Sequence, residues 1–196
     1  MPWLVCDYGG VLSLPQSPDD LVSLSRLAGL GLAEFEQRYW AERTAYDRGD
    51  LDVGDYWAKV VGDPLEQDRL EAVIAADVDS WLHLNADSTA GALRAQSRGW
   101  RLALLSNAPF EVARAIDRIP ELATFDPRWF SCDLGVVKPE PEIYNRVLAG
   151  LGAQPSEVVF VDDRSDNVAT ASSLGITAVL FSSATQFDAL PFDTLT

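Results

Sequence analysis

Short apolar runs alternate with amphipathic segments along most of this chain. Trp3 to Cys6, Arg101 to Leu105, Val158 to Val161 and Thr177 to Phe181 are four or five residues long, rich in Val, Leu and Ile, and bounded by Gly, Asp or Ser. Runs of this kind predict buried strands, and Trp129 to Cys132 reads as a weaker fifth. Between them Glu111 to Ile116, Glu140 to Leu151 and Asn167 to Leu174 have helical spacing, with Gly152 and Gly175 placed as C-caps. Strands that alternate with helices imply an α/β fold, a parallel sheet covered on both faces. Ligands on such sheets bind beyond the carboxyl ends of the strands.

Residues 15–85 break the rhythm. They carry charged helical patterns over Asp20 to Leu30, Leu32 to Tyr46, Val53 to Val61 and Leu65 to Asp77, with no strand among them. The pattern divides the chain into a core of residues 1–14 and 86–196 and a helical insertion of residues 15–85. There are no repeats and no low-complexity tracts.

Composition narrows the picture. With 47% apolar residues, six Trp, eight Phe and five Tyr, the 196 residues can bury a sizeable core. Fifteen Lys and Arg against 30 Asp and Glu give a formal charge of −15. That balance argues against nucleic acid or an anionic membrane as a partner. Any phosphate site must therefore build its positive potential locally. The two cysteines, Cys6 and Cys132, lie in apolar runs and read as buried free thiols. No signal peptide and no apolar run of membrane-spanning length is visible, so a cytoplasmic location is expected.

Four motifs carry chemistry. The first strand ends in Asp7-Tyr8-Gly9-Gly10, an acid followed by glycines that allow a tight turn and a close ligand approach. Leu104-Leu105-Ser106-Asn107 puts a hydroxyl and an amide at a strand end, suited to phosphate oxygens or to capping a helix. Lys138-Pro139 precedes a helix, where the Lys is either a solvated surface charge or a point charge for a phosphate or a carboxylate. Val161-Asp162-Asp163 ends a strand in two adjacent acids. Partly buried, these repel one another unless a cation lies near, and an oxygen-ligated ion such as Mg²⁺ is the natural compensation.

In this order the four motifs resemble the haloacid dehalogenase superfamily, with its Rossmann-like core, and specifically its members with an inserted α-helical cap. Asp-Tyr-Gly-Gly-Val-Leu and the segment Asp47-Arg48-Gly49-Asp50-Leu51 look like the subgroup around bacterial α-D-glucose-1-phosphate phosphatase. The acidic pair and the following Asn167 are similar to epoxide hydrolase N-terminal phosphatases. The resemblance implies a Mg²⁺-dependent phosphohydrolase acting on a small phosphorylated metabolite, a sugar phosphate among the candidates. Asp7 would be the nucleophile that forms an aspartyl-phosphate. Mg²⁺ would sit on Asp7, the Gly9 carbonyl and Asp163, with Asp162 ligating through water or orienting the shell. Ser106 and Asn107 would hold the phosphoryl oxygens, Lys138 would neutralise charge on Asp7 and the phosphoryl group, and Asn167 would support the metal's waters.

One position departs from the pattern. Phosphatases of the superfamily usually carry Asp two residues after the nucleophile as general acid, and here Gly9 has no proton to give. Two alternatives follow: a non-catalytic phospholigand-binding protein, which Gly9 favours, and a metal-independent 2-haloacid dehalogenase, which the acidic pair disfavours. Arg38, Arg43 and Arg48 in the cap are either surface charges or selectors of an anionic substrate, with Arg43 the candidate substrate contact. His83, the lone histidine, reads as a packing or hinge residue, Arg164 as a screen for the acidic pair, and Tyr8 as either packing under the cap or touching substrate.

Overall fold

The computed structural model describes residues 1–190. Five strands, β1 (Trp3–Cys6), β2 (Arg101–Ser106), β3 (Arg128–Phe130), β4 (Val158–Asp162) and β5 (Thr177–Leu180), form one parallel sheet in the order β3-β2-β1-β4-β5. Along the three central strands, alternate residues face opposite layers, as the two-residue period of a strand requires. Leu4, Cys6, Leu104, Val159 and Val161 join one apolar cluster, whereas Trp3, Val5, Leu105, Val158 and Phe160 join the other. Both faces are covered, so the strands read as unbroken apolar runs.

On the first face lie α6 (Ala86–Ser97) and α7 (Phe110–Ile116), which bury Ala92, Ala95, Val112 and Ile116. On the second lie α9 (Pro141–Leu151) and α10 (Ser165–Ser173), through Ile143, Tyr144, Val147 and Ala171. One helix went unread, and two expectations need correction here. Helix α6 was not legible in the sequence, because its buried face is built from Ala, Gly, Ser and Thr and not from large apolar residues. The β3 run stops at Phe130, and Ser131 and Cys132 open a one-turn helix, α8 (Ser131–Leu134). Strand β5 is an edge strand and is only half-buried.

Residues between β1 and α6 form α1 (Pro18–Ala28), α2 (Leu32–Ala41), α3 (Arg43–Arg48), α4 (Val53–Val61) and α5 (Gln67–Ser80). Ser17 caps α1 in a reciprocal box with Asp20, Pro18 opens it, and Gly29 in the left-handed region closes it. The single helix expected over Leu32 to Tyr46 is interrupted at Glu42, whose dihedrals (φ −109°, ψ 7°) are not helical. These helices enclose an apolar cluster of their own, around Leu24, Phe35, Tyr39, Tyr56, Trp57 and Val60. Two chain crossings join them to the sheet. The Leu14 N–H donates to the His83 carbonyl (2.7 Å), and the Asn85 N–H to the Leu12 carbonyl (2.9 Å). On the far side Arg48 grips Glu140 (2.6 Å), and the Tyr46 hydroxyl donates to Glu111 (2.8 Å). Among the described residues, no helix is long and apolar enough to cross a membrane.

A separate cluster makes a local prediction. Trp57 is fully buried there, so Trp57→Ala should cost about 3–5 kcal/mol. Hydrogen exchange should quicken in α1 to α5 while the amides of β1, β2 and β4 keep their protection. An equal loss of protection in both regions would show that the helices share one cooperative unit with the sheet.

Candidate active site

The site begins where β1 runs out. The Asp7 N–H still bonds the Val161 carbonyl of β4 (2.9 Å), which carries the sheet's register into the first loop residue. The Asp7 carboxylate then accepts from the Tyr8 N–H and from Lys138 Nζ, each at 2.7 Å on Oδ1. The following turn requires glycine at one position: Gly10 has φ +74°, and a Cβ there would collide with the Asp163 carboxylate. Gly9 is different. Its φ of −64° suits any residue, and a Cβ there would lie 3.6 Å from the Trp81 ring, an ordinary contact.

Lys138 is the centre of the cluster. Its side chain is 1% exposed, and Nζ lies 2.7 Å from both Asp7 Oδ1 and Asp162 Oδ2. Asn107 fixes the Lys138 backbone from both sides. Asn107 Nδ2 donates to the Lys138 carbonyl (2.9 Å), and Asn107 Oδ1 accepts from the Lys138 N–H (2.8 Å). The Asn107 amide therefore holds a loop, while the Ser106 hydroxyl at the end of β2 makes only a long hydrogen bond to the Asn107 carbonyl (3.4 Å). Ser106 is buried beside the same cavity.

Asp162 is fully buried and accepts from the Arg164 N–H (2.8 Å) and from Asn167 Nδ2 (2.9 and 3.0 Å). Asp163 faces the cavity. Ligand oxygens of Asp7, Asp162 and Asp163 all lie within 4.8 Å of one another. Three carboxylates against one ammonium leave two negative charges uncompensated. Burial, only partly offset by Lys138 and reinforced by Asp162 and Asp163, pushes the Asp7 carboxyl up to about 8. The Asp163 carboxyl is also raised, by burial first and then by Asp162. Despite burial, the Asp7 and Asp162 carboxylates raise Lys138 above its ordinary value. A raised Asp7 and a raised Lys138 pull in opposite directions across one ion pair. The charge count reconciles them: Lys138 stays protonated and neutralises one acid, and the surplus falls on Asp7. Asn167 Oδ1, buried on this cavity, has no hydrogen-bond partner among the described residues and so offers an acceptor toward the acids' surroundings.

A cavity of about 750 Å³ opens over this floor. Asp7, Gly9, Ser106, Lys138 and Asp163 line it from the sheet, and Trp40, Arg43, Thr44, Asp47 and Trp81 from the helices. The eight core positions given roles in the sequence thus converge, with Asp162 just behind the lining. Arg43 lines the cavity but is no surface residue. It is buried against Asp47 (2.8 Å), Asp77 (3.5 Å) and the Tyr39 hydroxyl, so its charge is already met. Arg38 pairs with Glu34, and Arg164 makes its ion pair with Asp166 while its charge also acts on the acidic pair, as a screen. Tyr8 packs beneath the helices, its hydroxyl on the Trp81 carbonyl (2.8 Å). The His83 backbone sits at the chain crossing while its half-exposed ring meets Asp20 at 2.9 Å. Both cysteines are buried and free.

Sequence reasoning missed Trp40 and Trp81. A signal existed for Trp40: it follows Tyr39, which occupies the inward position of α2, and is therefore a large aromatic turned outward. Trp81 is the C-cap of α5, outside any periodic pattern.

Comparisons with known proteins bear on the fold and the family. Over 50 residues, 26% of this chain, it is 48% identical to bifunctional epoxide hydrolase 2 of Mus musculus, and that stretch spans only 9% of the mouse protein. Over 54 residues, 28% of the chain, it is 41% identical to flavin mononucleotide hydrolase 1 of Arabidopsis thaliana, of which 22% is covered. The fold matches an enzyme of the haloacid dehalogenase family from Bacteroides thetaiotaomicron, a mutant crystallised with magnesium and inorganic phosphate. There the TM-score is 0.75 at 20% identity, over 91% of this chain and 93% of that one. An L-2-haloacid dehalogenase of Xanthobacter autotrophicus with chloropropionic acid covalently bound also matches, with a TM-score of 0.69 at 20% identity, over 91% and 76%. The family model of haloacid dehalogenase-like hydrolases matches residues 13–175, and with the site at the strand ends this places the chain in that family.

Proposed function

We propose that the chain is a magnesium-dependent phosphomonoester hydrolase that works through an aspartyl-phosphate on Asp7. The observation that carries this reading is the imbalance of three clustered carboxylates against Lys138 alone. The donor set is all oxygen, as a hard divalent ion requires. Asp7, the Gly9 carbonyl and Asp163 would hold Mg²⁺, with Asp162 and the unpartnered Asn167 Oδ1 facing its waters. When bound, the ion supplies two positive charges that offset the surplus on the acids and on the phosphoryl oxygens. The relative from Bacteroides thetaiotaomicron that binds magnesium and phosphate, and the Arabidopsis thaliana hydrolase of flavin mononucleotide, support a small phosphorylated substrate. A metal-free dehalogenase would leave Asp163 without a task.

In this reading the Asp7 carboxylate attacks phosphorus and the bond from phosphorus to the leaving oxygen breaks. Water then attacks phosphorus, which frees Asp7 and releases phosphate. Lys138 holds Asp7 in place and screens the approach of two anions. Asn107 keeps Lys138 positioned, and Ser106 donates to a phosphoryl oxygen. Residues 15–85 act as a cap that shields the reacting groups from water, hinged at the two crossings near Leu14 and Leu84. The reaction needs no membrane or nucleic acid, and two buried free thiols suit a cytoplasmic setting.

Asp7→Asn should fold normally and lose at least about a thousandfold in phosphate release. Unchanged turnover in a folded sample would refute the nucleophile. The acidic pair should split by role. Asp163→Asn should lose more activity and Mg²⁺ affinity than Asp162→Asn, and excess chelator should abolish turnover. Asp162→Asn should lower the melting temperature more, because Lys138 and Asn167 depend on that buried carboxylate. Full activity in chelator would exclude metal assistance.

Gly9 sets a third expectation. General acid help is worth about a hundred- to ten-thousand-fold, and without it the rate should depend steeply on the leaving group's acidity. The backbone at Gly9 accepts a side chain, so Gly9→Asp should fold and flatten a plot of log rate against leaving-group pKa. Equally shallow slopes for both proteins would mean that another group supplies the proton.

A further inference from the structure

Resting on the phosphohydrolase reading, we infer that the substrate is a monophosphate whose leaving portion is a neutral ring, seated against Trp40 and Trp81. The floor of the cavity needs only a phosphoryl group, yet the cavity holds about 750 Å³, against roughly 30 Å³ per water molecule. The remaining volume belongs to the leaving portion.

The walls around that volume are aromatic. Trp81 stands directly over the nucleophile loop, since a Cβ on Gly9 would lie 3.6 Å from its ring. Trp40 meets Trp81 edge to face, with centroids 6.4 Å apart. One face of Trp81 is taken by the Arg43 guanidinium, 5.4 Å from its centroid. Trp40 packs edge-on against Tyr39, lines the cavity and is 52% exposed overall. An indole face left open beside a reaction site suits the flat face of a ring.

Charge sets the second half of the inference. The cations that line the cavity are Arg43, Lys138 and Arg164. Each already has carboxylate partners: Asp47 and Asp77, Asp7 and Asp162, and Asp166. Among the described residues every lining cation thus already has a carboxylate partner, and the protein's net negative field repels a second phosphate or a carboxylate on the substrate.

The test compares esters that all expel a primary alkoxide, so the chemistry cancels in ratios: glycerol 3-phosphate, a ketohexose 6-phosphate, a nucleoside 5′-monophosphate and the same ketohexose's 1,6-bisphosphate. At least one ring monophosphate should exceed glycerol phosphate about tenfold in kcat/KM, and the two ring esters separate a sugar from a planar aromatic. Trp40→Ala should bring that ratio toward one. The bisphosphate should fall about tenfold below the hexose monophosphate, and Thr44→Lys, which adds a cation at the wall, should narrow that gap. Glycerol phosphate as good as either ring ester, a ratio unmoved by Trp40→Ala, or a preferred bisphosphate would overturn the inference. If no ester, acetyl phosphate included, releases phosphate, the phosphohydrolase reading fails by itself. Calorimetry of the ring monophosphates with Mg²⁺ then decides the pocket, on Asp7→Asn and on Asp7→Asn with Trp40→Ala. Affinity about tenfold weaker in the double variant upholds the ring seat, and equal affinity or no binding overturns it.

Discussion

Lys138 lies 2.7 Å from two buried carboxylates that come from different strands, and most of the site follows from that contact. The ammonium ties the end of β1, through Asp7, to the end of β4, through Asp162. Its own loop is clipped to the end of β2 by both polar atoms of Asn107. Three parallel strand ends are thereby held at one point by charge-assisted and amide bonds, where packing between loops alone would be loose. A buried ion pair of this kind adds little net stability against an apolar replacement, but removing one member strands the others without water. With Asp163 adjacent, the cluster sets three carboxyl groups against one ammonium, and with all three ionised Lys138 can neutralise only one. The same contact that orders the site leaves it short of positive charge, and a phosphoryl group adds to the shortfall.

The helices over the sheet respond to a different constraint. They carry a buried cluster of their own and a second buried ion network, in which Arg43 lies between Asp47 and Asp77. That network faces the cavity yet has no charge to spend on a ligand. What the helices present to the reacting groups is aromatic surface from Trp40 and Trp81. The floor handles charge, and the roof handles shape.

Much of this was legible in the sequence, for reasons that can be named. Strand β1 was read to its ends, and β2 and β4 to within a residue, because parallel central strands buried on both faces leave an unbroken apolar run. Asp7, Ser106 and the acidic pair sit at strand ends, which converge in an α/β sheet, and Lys138, in the loop before α9, was joined to them by the resemblance to the superfamily. Helix α6 escaped because Ala and Gly pack closely without an apolar signature. The break at Glu42 escaped because Phe35, Tyr39 and Tyr46 keep helical spacing across it. Arg43 read as a surface charge or a substrate contact, and not as a buried ion-pair member, because burial of an Arg depends on acids 4 and 34 residues away. Trp81 was invisible for a similar reason: its place over Gly9 is set by the return of α5, not by any local pattern.

The charge deficit is the claim on which the account stands, and a titration of the unmodified protein with MgCl₂ tests it most directly. Calorimetry should show one Mg²⁺ bound per chain, and the melting temperature should rise with Mg²⁺ concentration as mass action requires. NaCl at matched ionic strength should not reproduce that rise. No heat of binding, or a stabilisation that sodium reproduces in full, would contradict the account.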